Sequence, residues 1–141
     1  MSRERIPETD FSDRGRSPIG LGSHRFSDPV ELFRVIKRLW SADTASPAND
    51  WHPRNPAKNH CSVTALIVHD FFGGVILTTD TYGGKHFYNM IDGRRWDLTV
   101  GQFEEPIPYE DVPSSRAVAS ADTSPDKYWA LLERLFATLE A

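Results

Sequence analysis

Cysteine is almost missing from this chain: a single one, Cys61, occurs in 141 residues, so no intrachain disulfide can form. A lone thiol suits a reducing compartment better than a secreted one, and the chain is read as cytoplasmic. Clustered basic charge is missing too. The formal net charge is −4, and no run of Lys or Arg exceeds two residues. Binding to nucleic acid needs a concentrated Lys/Arg surface that neutralises phosphates, so nucleic acid is not expected as the partner. No apolar stretch approaches the ~20 residues that cross a bilayer. Met1 to Arg16 is polar with both charges and no apolar segment, which argues against a signal peptide or membrane anchor. No CxxC, HxxxH, HExxH, GxGxxG or GxxxxGK[ST] spacing occurs, so neither a metal site nor a phosphate loop is expected, and no cofactor is implied.

What remains is an ordinary globular composition, 39% hydrophobic and 26% charged, of a length that suits one core. Residues 1–26 hold five Arg, four Ser and three Gly, and read as a polar N-terminal arm. Residues 27–141 read as one α+β domain. Asp28-Pro29 with Glu31 marks a helix start. Leu32, Phe33, Ile36, Leu39 and Trp40 then recur at helical spacing. Ser41 to Asn59, rich in Ser, Asn, Asp and Pro, reads as a long loop of the kind that often carries function. Cys61 to Phe72 is apolar nearly all round, as a central buried helix would be, and Gly73-Gly74 ends it.

Val75–Thr81, Lys85–Ile91 and Arg94–Val100 read as three antiparallel strands. The last two are joined by Asp92-Gly93, a strong hairpin signal. After Gly101 comes a proline-containing stretch without periodicity. Ser124-Pro125 then opens a final helix, with Tyr128, Trp129, Leu131, Leu132, Leu135, Phe136 and Leu139 as its buried face.

Chemistry concentrates at Cys61, His86 and Asp97. Cys61 follows a loop and opens a helix, where unpaired N–H groups and the helix dipole favour the thiolate, the nucleophilic form. A two-residue Asp92-Gly93 turn pairs Ile91 with Arg94, and counting outward sets Tyr88 opposite Asp97. His86 shares a face with Tyr88 because strand side chains alternate, which makes His86 and Asp97 diagonal neighbours. An Asp behind an imidazole fixes its tautomer and stabilises its charged form. Asn59 could cap the central helix or offer its amide to a developing oxyanion, and His60 could border the site or merely line the loop. The Cys61 N–H is the better oxyanion donor. Trp51, Phe87 and Trp96 could wall a binding cleft. His69 is two turns from Cys61, too far to be its base, while His52 reads as solvated loop and His24 as part of the arm.

Trp51-His-Pro-Arg-Asn-Pro, Cys61-Ser-Val-Thr-Ala-Leu-Ile-Val-His-Asp-Phe-Phe-Gly-Gly, His86-Phe-Tyr-Asn and Trp96-Asp-Leu-Thr together resemble the YunG-like family of small bacterial proteins. The resemblance spans roughly residues 28–137, including Trp40-Ser-Ala-Asp-Thr. It departs at Asn59-His60, where the family-like pattern has Gly-Gln; if that Gln serves an oxyanion hole, the site here is altered. More distantly, a helix-opening Cys followed by His and Asp on adjacent strands is similar to the papain-like superfamily, above all transglutaminase-like and NlpC-type domains. The similarity implies a papain-like core, with a buried Cys-bearing helix on a small antiparallel sheet between N- and C-terminal helices. It also implies acyl transfer through a thioester, by hydrolysis, deamidation or transamidation of a small-molecule or peptide amide. The alternative is a binding module of the same architecture without turnover.

Overall fold

The computed structural model describes residues 26–140. The arm expected over 1–26 lies outside that range except for Phe26, which belongs to the core: it is buried and meets Phe71 edge-on at 5.1 Å. A large apolar ring next to a helix start gains more from burial than from solvation, so the domain begins at or before Phe26.

Helix α1 covers Pro29–Ile36. Asp28 accepts the Glu31 N–H at 3.0 Å, and the Glu31 carboxylate in turn accepts the Ser27 N–H at 2.8 Å. The helix is shorter than the apolar stripe suggested, because the chain tightens into a turn after Ile36, although Trp40 is still buried. The loop that follows holds a 3₁₀ turn at Ala42–Thr44.

Helix α2, Cys61–Phe72, has the expected bounds, and nine of its residues are buried. Gly73 and Gly74 close it, both at positive φ. A Cβ on Gly74 would stand 2.1 Å from the Met90 carbonyl oxygen, so only glycine fits where the chain passes from α2 into the sheet.

The sheet is antiparallel and has four strands, β1 Val75–Thr81, β2 Gly84–Ile91, β3 Arg94–Trp96 and β4 Val112–Pro113, in the order β3-β2-β1-β4. The expected hairpin register holds: Ile91 pairs with Arg94 and Asn89 with Trp96. Asp92 and Gly93 both take positive φ, as a type I′ turn requires. β3 stops well short of Val100. The Asp97 carboxylate accepts the Thr99 N–H at 3.2 Å, and this local bond turns the chain out of the ladder into a 3₁₀ turn at Val100–Gln102. β4 and the short helix α3, Arg116–Ala121, fall where no periodicity was visible. Helix α4, Pro125–Leu139, is capped by Ser124 and buries Leu131, Leu132 and Leu135. Trp129, expected on that buried face, is 55% exposed instead.

β2 divides the interior by its alternation. Phe87 packs with Ala65 and Leu66 of α2, and Asn89 donates to the Ala65 carbonyl at 3.0 Å. Tyr88 and Met90 pack with Leu77, and Tyr109 closes over them.

Candidate functional site

His86 falls on the Tyr88 side of β2, and its ring stacks on Tyr88 at 5.8 Å. Phe103 meets it edge-on at 4.8 Å, and the imidazole is only 2% exposed. The first residue beyond β3 is Asp97, fully buried, and its Oδ2 accepts His86 Nε2 at 2.7 Å. The diagonal expected from the hairpin is therefore a closed hydrogen bond. Asp97 is satisfied on both oxygens: Oδ2 also accepts the Tyr109 hydroxyl at 2.8 Å, and Oδ1 accepts the Thr99 N–H and, at 3.4 Å, the Thr99 hydroxyl. A buried carboxylate tied in four ways holds one position and keeps its partner imidazole in one orientation.

The other ring nitrogen, Nδ1, is buried and closes no hydrogen bond. Cys61, in the first turn of α2, is near enough for its charge to act on the ring, although no hydrogen bond between the two is closed. With Nε2 committed to Asp97, Nδ1 is the nitrogen left for the sulfur. Burial opposes a charge on this ring, but Asp97, by charge and hydrogen bond, outweighs it, and Cys61 adds in the same sense. The imidazole pKa rises to about 10. Cys61 itself is half-buried, so the thiol is the part of the constellation that meets solvent. His60, the residue before α2, makes no side-chain cap, and the leading N–H groups of the helix are left beside the sulfur.

Two of the expected binding residues do other work. Asn59 neither caps α2 nor turns to the thiol. It takes positive φ, and its amide donates to the Pro47 carbonyl at 3.0 Å and to Asp50 at 2.6 Å, tying the long loop down. His60 is fully buried. Its Nδ1 faces the Lys58 carbonyl at 3.0 Å and its Nε2 the Thr44 hydroxyl at 2.7 Å. The first contact makes Nδ1 the protonated nitrogen and Nε2 the acceptor of the Thr44 O–H. Burial lowers its pKa to about 4, so His60 is a neutral structural link.

Trp51 donates to the Pro56 carbonyl at 2.9 Å and meets His60 edge-on, which makes it part of the loop's own packing. Trp96 is a core residue packed with Ile91 and Leu98 rather than a cleft wall. Of the expected aromatic wall, only Phe87 shares a cluster with Cys61.

Three residues of the site had not been anticipated: Phe103, Tyr109 and Thr99. Thr99 was findable, since Asp-x-Thr is a common local turn in which the carboxylate takes the backbone N–H two residues on. Tyr109 had no such signal. It is held by a lock across the sheet: Arg95 stacks over its ring at 4.2 Å and grips Asp111 through Nε at 2.9 Å and Nη2 at 2.6 Å. Asp111 also accepts the Tyr88 hydroxyl at 2.9 Å, and its own N–H donates back to that oxygen at 2.8 Å.

Among the described residues no group of three or more His, Cys, Asp or Glu is placed to hold a metal ion. No described helix is long and apolar enough to cross a membrane.

The sequence pattern of a family described as YunG protein matches residues 28–140. A relative from Bacillus subtilis (strain 168), named "Uncharacterized protein YunG", is 40% identical over 99 residues, covering 70% of this chain and 84% of that protein. No solved structure matches the chain. The family pattern spans α1 to α4 and contains every residue of the Cys61–His86–Asp97 constellation, so the chain belongs to the YunG family.

Proposed function

We propose that this protein is a cysteine-dependent acyl-transfer enzyme of papain-like type, acting on a small-molecule or peptide amide. One observation carries the reading: a buried imidazole bound through Nε2 to a fully satisfied carboxylate, with Nδ1 left for a half-buried, helix-opening thiol. A structural cysteine has no need of a histidine held this way.

In the proposed reaction the Cys61 sulfur, as thiolate beside the His86 imidazolium, attacks the substrate carbonyl carbon. The C=O electron pair moves to oxygen, where the N–H groups at the start of α2 receive it. Collapse expels the amine, which takes the proton from His86 Nδ1 and leaves a Cys61 thioester. Water or a second amine then attacks the thioester, giving its proton to the now neutral imidazole, and breaking of the C–S bond releases the acyl product and restores the Cys61 thiolate beside the imidazolium. Asp97 holds the ring and stabilises its charged form throughout. A lone thiol used this way fits a reducing, cytoplasmic setting.

A second reading is a papain-like binding module without turnover. It is favoured by the absence of a side-chain oxyanion donor at positions 59 and 60, where Asn59 and His60 are committed elsewhere. Single-turnover acylation by p-nitrophenyl acetate, read by intact mass and by mapping of the modified peptide, separates the two. The enzyme reading expects one acetyl group on Cys61, formed and then released at rates that fall in His86→Ala. Acetylation no faster than that of a free thiol, with no dependence on His86, supports the binding module instead.

A further inference from the structure

A second cluster of buried polar groups lies where α2 meets α3 and α4. A cavity of about 200 Å³ opens between α2, α3 and the start of α4. Its polar lining includes Arg116, Thr123 and Tyr128, and Leu66 and Trp129 supply apolar surface. Arg116 is anchored through Nη1, which faces the Leu66 carbonyl at 3.2 Å, His69 Nδ1 at 3.1 Å and the buried Asp70 carboxylate at 2.8 Å. The Tyr128 hydroxyl donates to the other oxygen of Asp70. These contacts all use Nη1, and the guanidinium also acts on the Tyr128 hydroxyl; the three N–H donors on Nε and Nη2 take no part in holding Asp70. The Thr123 hydroxyl oxygen, which is buried, has no partner among the described residues. A buried hydroxyl without a partner is costly and calls for a missing one. Trp129, exposed at the rim although α4 could have turned it inward, offers a flat apolar face.

We propose that this cavity is a binding site for a small carboxylate with a planar apolar body. The carboxylate meets the Nε and Nη2 N–H groups of Arg116 and the Thr123 hydroxyl, and the body lies between Leu66 and Trp129. A planar carboxylate is favoured over a neutral amide because the guanidinium fork matches two coplanar oxygens. Arg116 can serve Asp70 and a ligand at once because they take different nitrogens. Cys61 does not line the cavity.

The test is a titration of the full ¹⁵N-labelled chain with benzoate, and in parallel with benzamide, followed by amide chemical shifts. We expect saturable shifts centred on residues 116–129, and a benzamide affinity lower by about tenfold or more. Arg116→Lys keeps a cation beside Asp70 but removes the fork, and should lower benzoate affinity by about tenfold. Thr123→Val removes only the hydroxyl and should weaken binding by roughly fivefold. Cys61→Ser should bind benzoate like the wild type, whatever the fate of the acyl-transfer reading. Absence of saturable shifts, equal affinity for benzamide, shifts centred on residues 59–63 instead, or a folded Thr123→Val variant with wild-type affinity would each overturn the proposal. If Arg116→Lys does not fold, the benzamide and Thr123→Val arms still decide.

Discussion

Asp97→Asn is the perturbation with the most to reveal, because its effects on stability and on chemistry both follow from one set of bonds. Asp97 is fully buried and receives His86, Tyr109 and Thr99 together. The substitution preserves shape but takes the negative charge from beside a 2%-exposed imidazole. Removing one partner of a buried pair costs ~3–5 kcal/mol, and an asparagine oxygen that keeps some of these bonds puts the figure near 3. In a domain of this size that is roughly a 10 °C fall in Tm. A surface strand carboxylate would have cost almost nothing, so burial has changed the expectation. The pH dependence has a sign. The folded imidazole pKa is raised from 6.5 to about 10, so the pair's contribution is complete below pH 6.5 and disappears as pH rises through 10. Asp97→Asn should abolish that alkaline loss, since burial alone would keep the ring neutral. Acylation of Cys61 should slow by about tenfold or more, because the ring loses both its orientation and its charge. Asp92→Asn in the exposed hairpin turn is the control, as Asn-Gly serves a type I′ turn equally well. Melting curves from pH 6 to 10 and intact-mass acylation rates give the answer. Variants that melt within about 2 °C of each other and acylate at one rate would refute the reasoning.

Other expectations follow from the same contacts. Tyr109→Phe keeps the ring under Arg95 but loses the 2.8 Å bond to Asp97, so it should cost about 2 kcal/mol in urea unfolding and slow acylation several-fold. His60 has the opposite linkage to His86. Its folded pKa of about 4 lies below the unfolded 6.5, so stability is full above pH 6.5 and falls by about 3 kcal/mol as pH drops toward 4. His60→Gln should flatten that acid limb, as urea midpoints between pH 4 and 7 will show. Phe26→Ala should lower stability by about 3–5 kcal/mol by emptying the site against Phe71, readable as a shift in the urea midpoint.

The parts of this fold that could be read from residues are those written in local chemistry. Asp28, Ser124 and the paired glycines at 73 and 74 marked element ends, because caps and left-handed backbone demand particular side chains. Asp92-Gly93 set the register, and from the register came the His86–Asp97 contact. Non-local contacts stayed hidden. Tyr109 reaches Asp97 only because Arg95 and Asp111 pin an irregular, proline-containing segment across the sheet. β4 is two residues long and α3 six, too short for any period to emerge. Asn59 was misread for a related reason, and of the two readings of His60 the loop one holds. Their neighbour Cys61 suggested a site, whereas their partners are Asp50 and Thr44, several residues back in the loop. Trp96 and Trp129 exchanged roles, core for surface, because amphipathic aromatic rings are at home in either place.

The central claim is that His86 activates Cys61, and the most direct measurement is the rate of iodoacetamide alkylation of Cys61 against pH, in the wild type and in His86→Ala. The imidazole is charged throughout the neutral range and faces the sulfur, so the wild type should react at pH 6 far faster than a reference thiol of pKa ~8.5. His86→Ala should fall back to the reference profile. A wild-type rate that follows the reference thiol across pH 6–9, unchanged by removal of His86, would contradict the account.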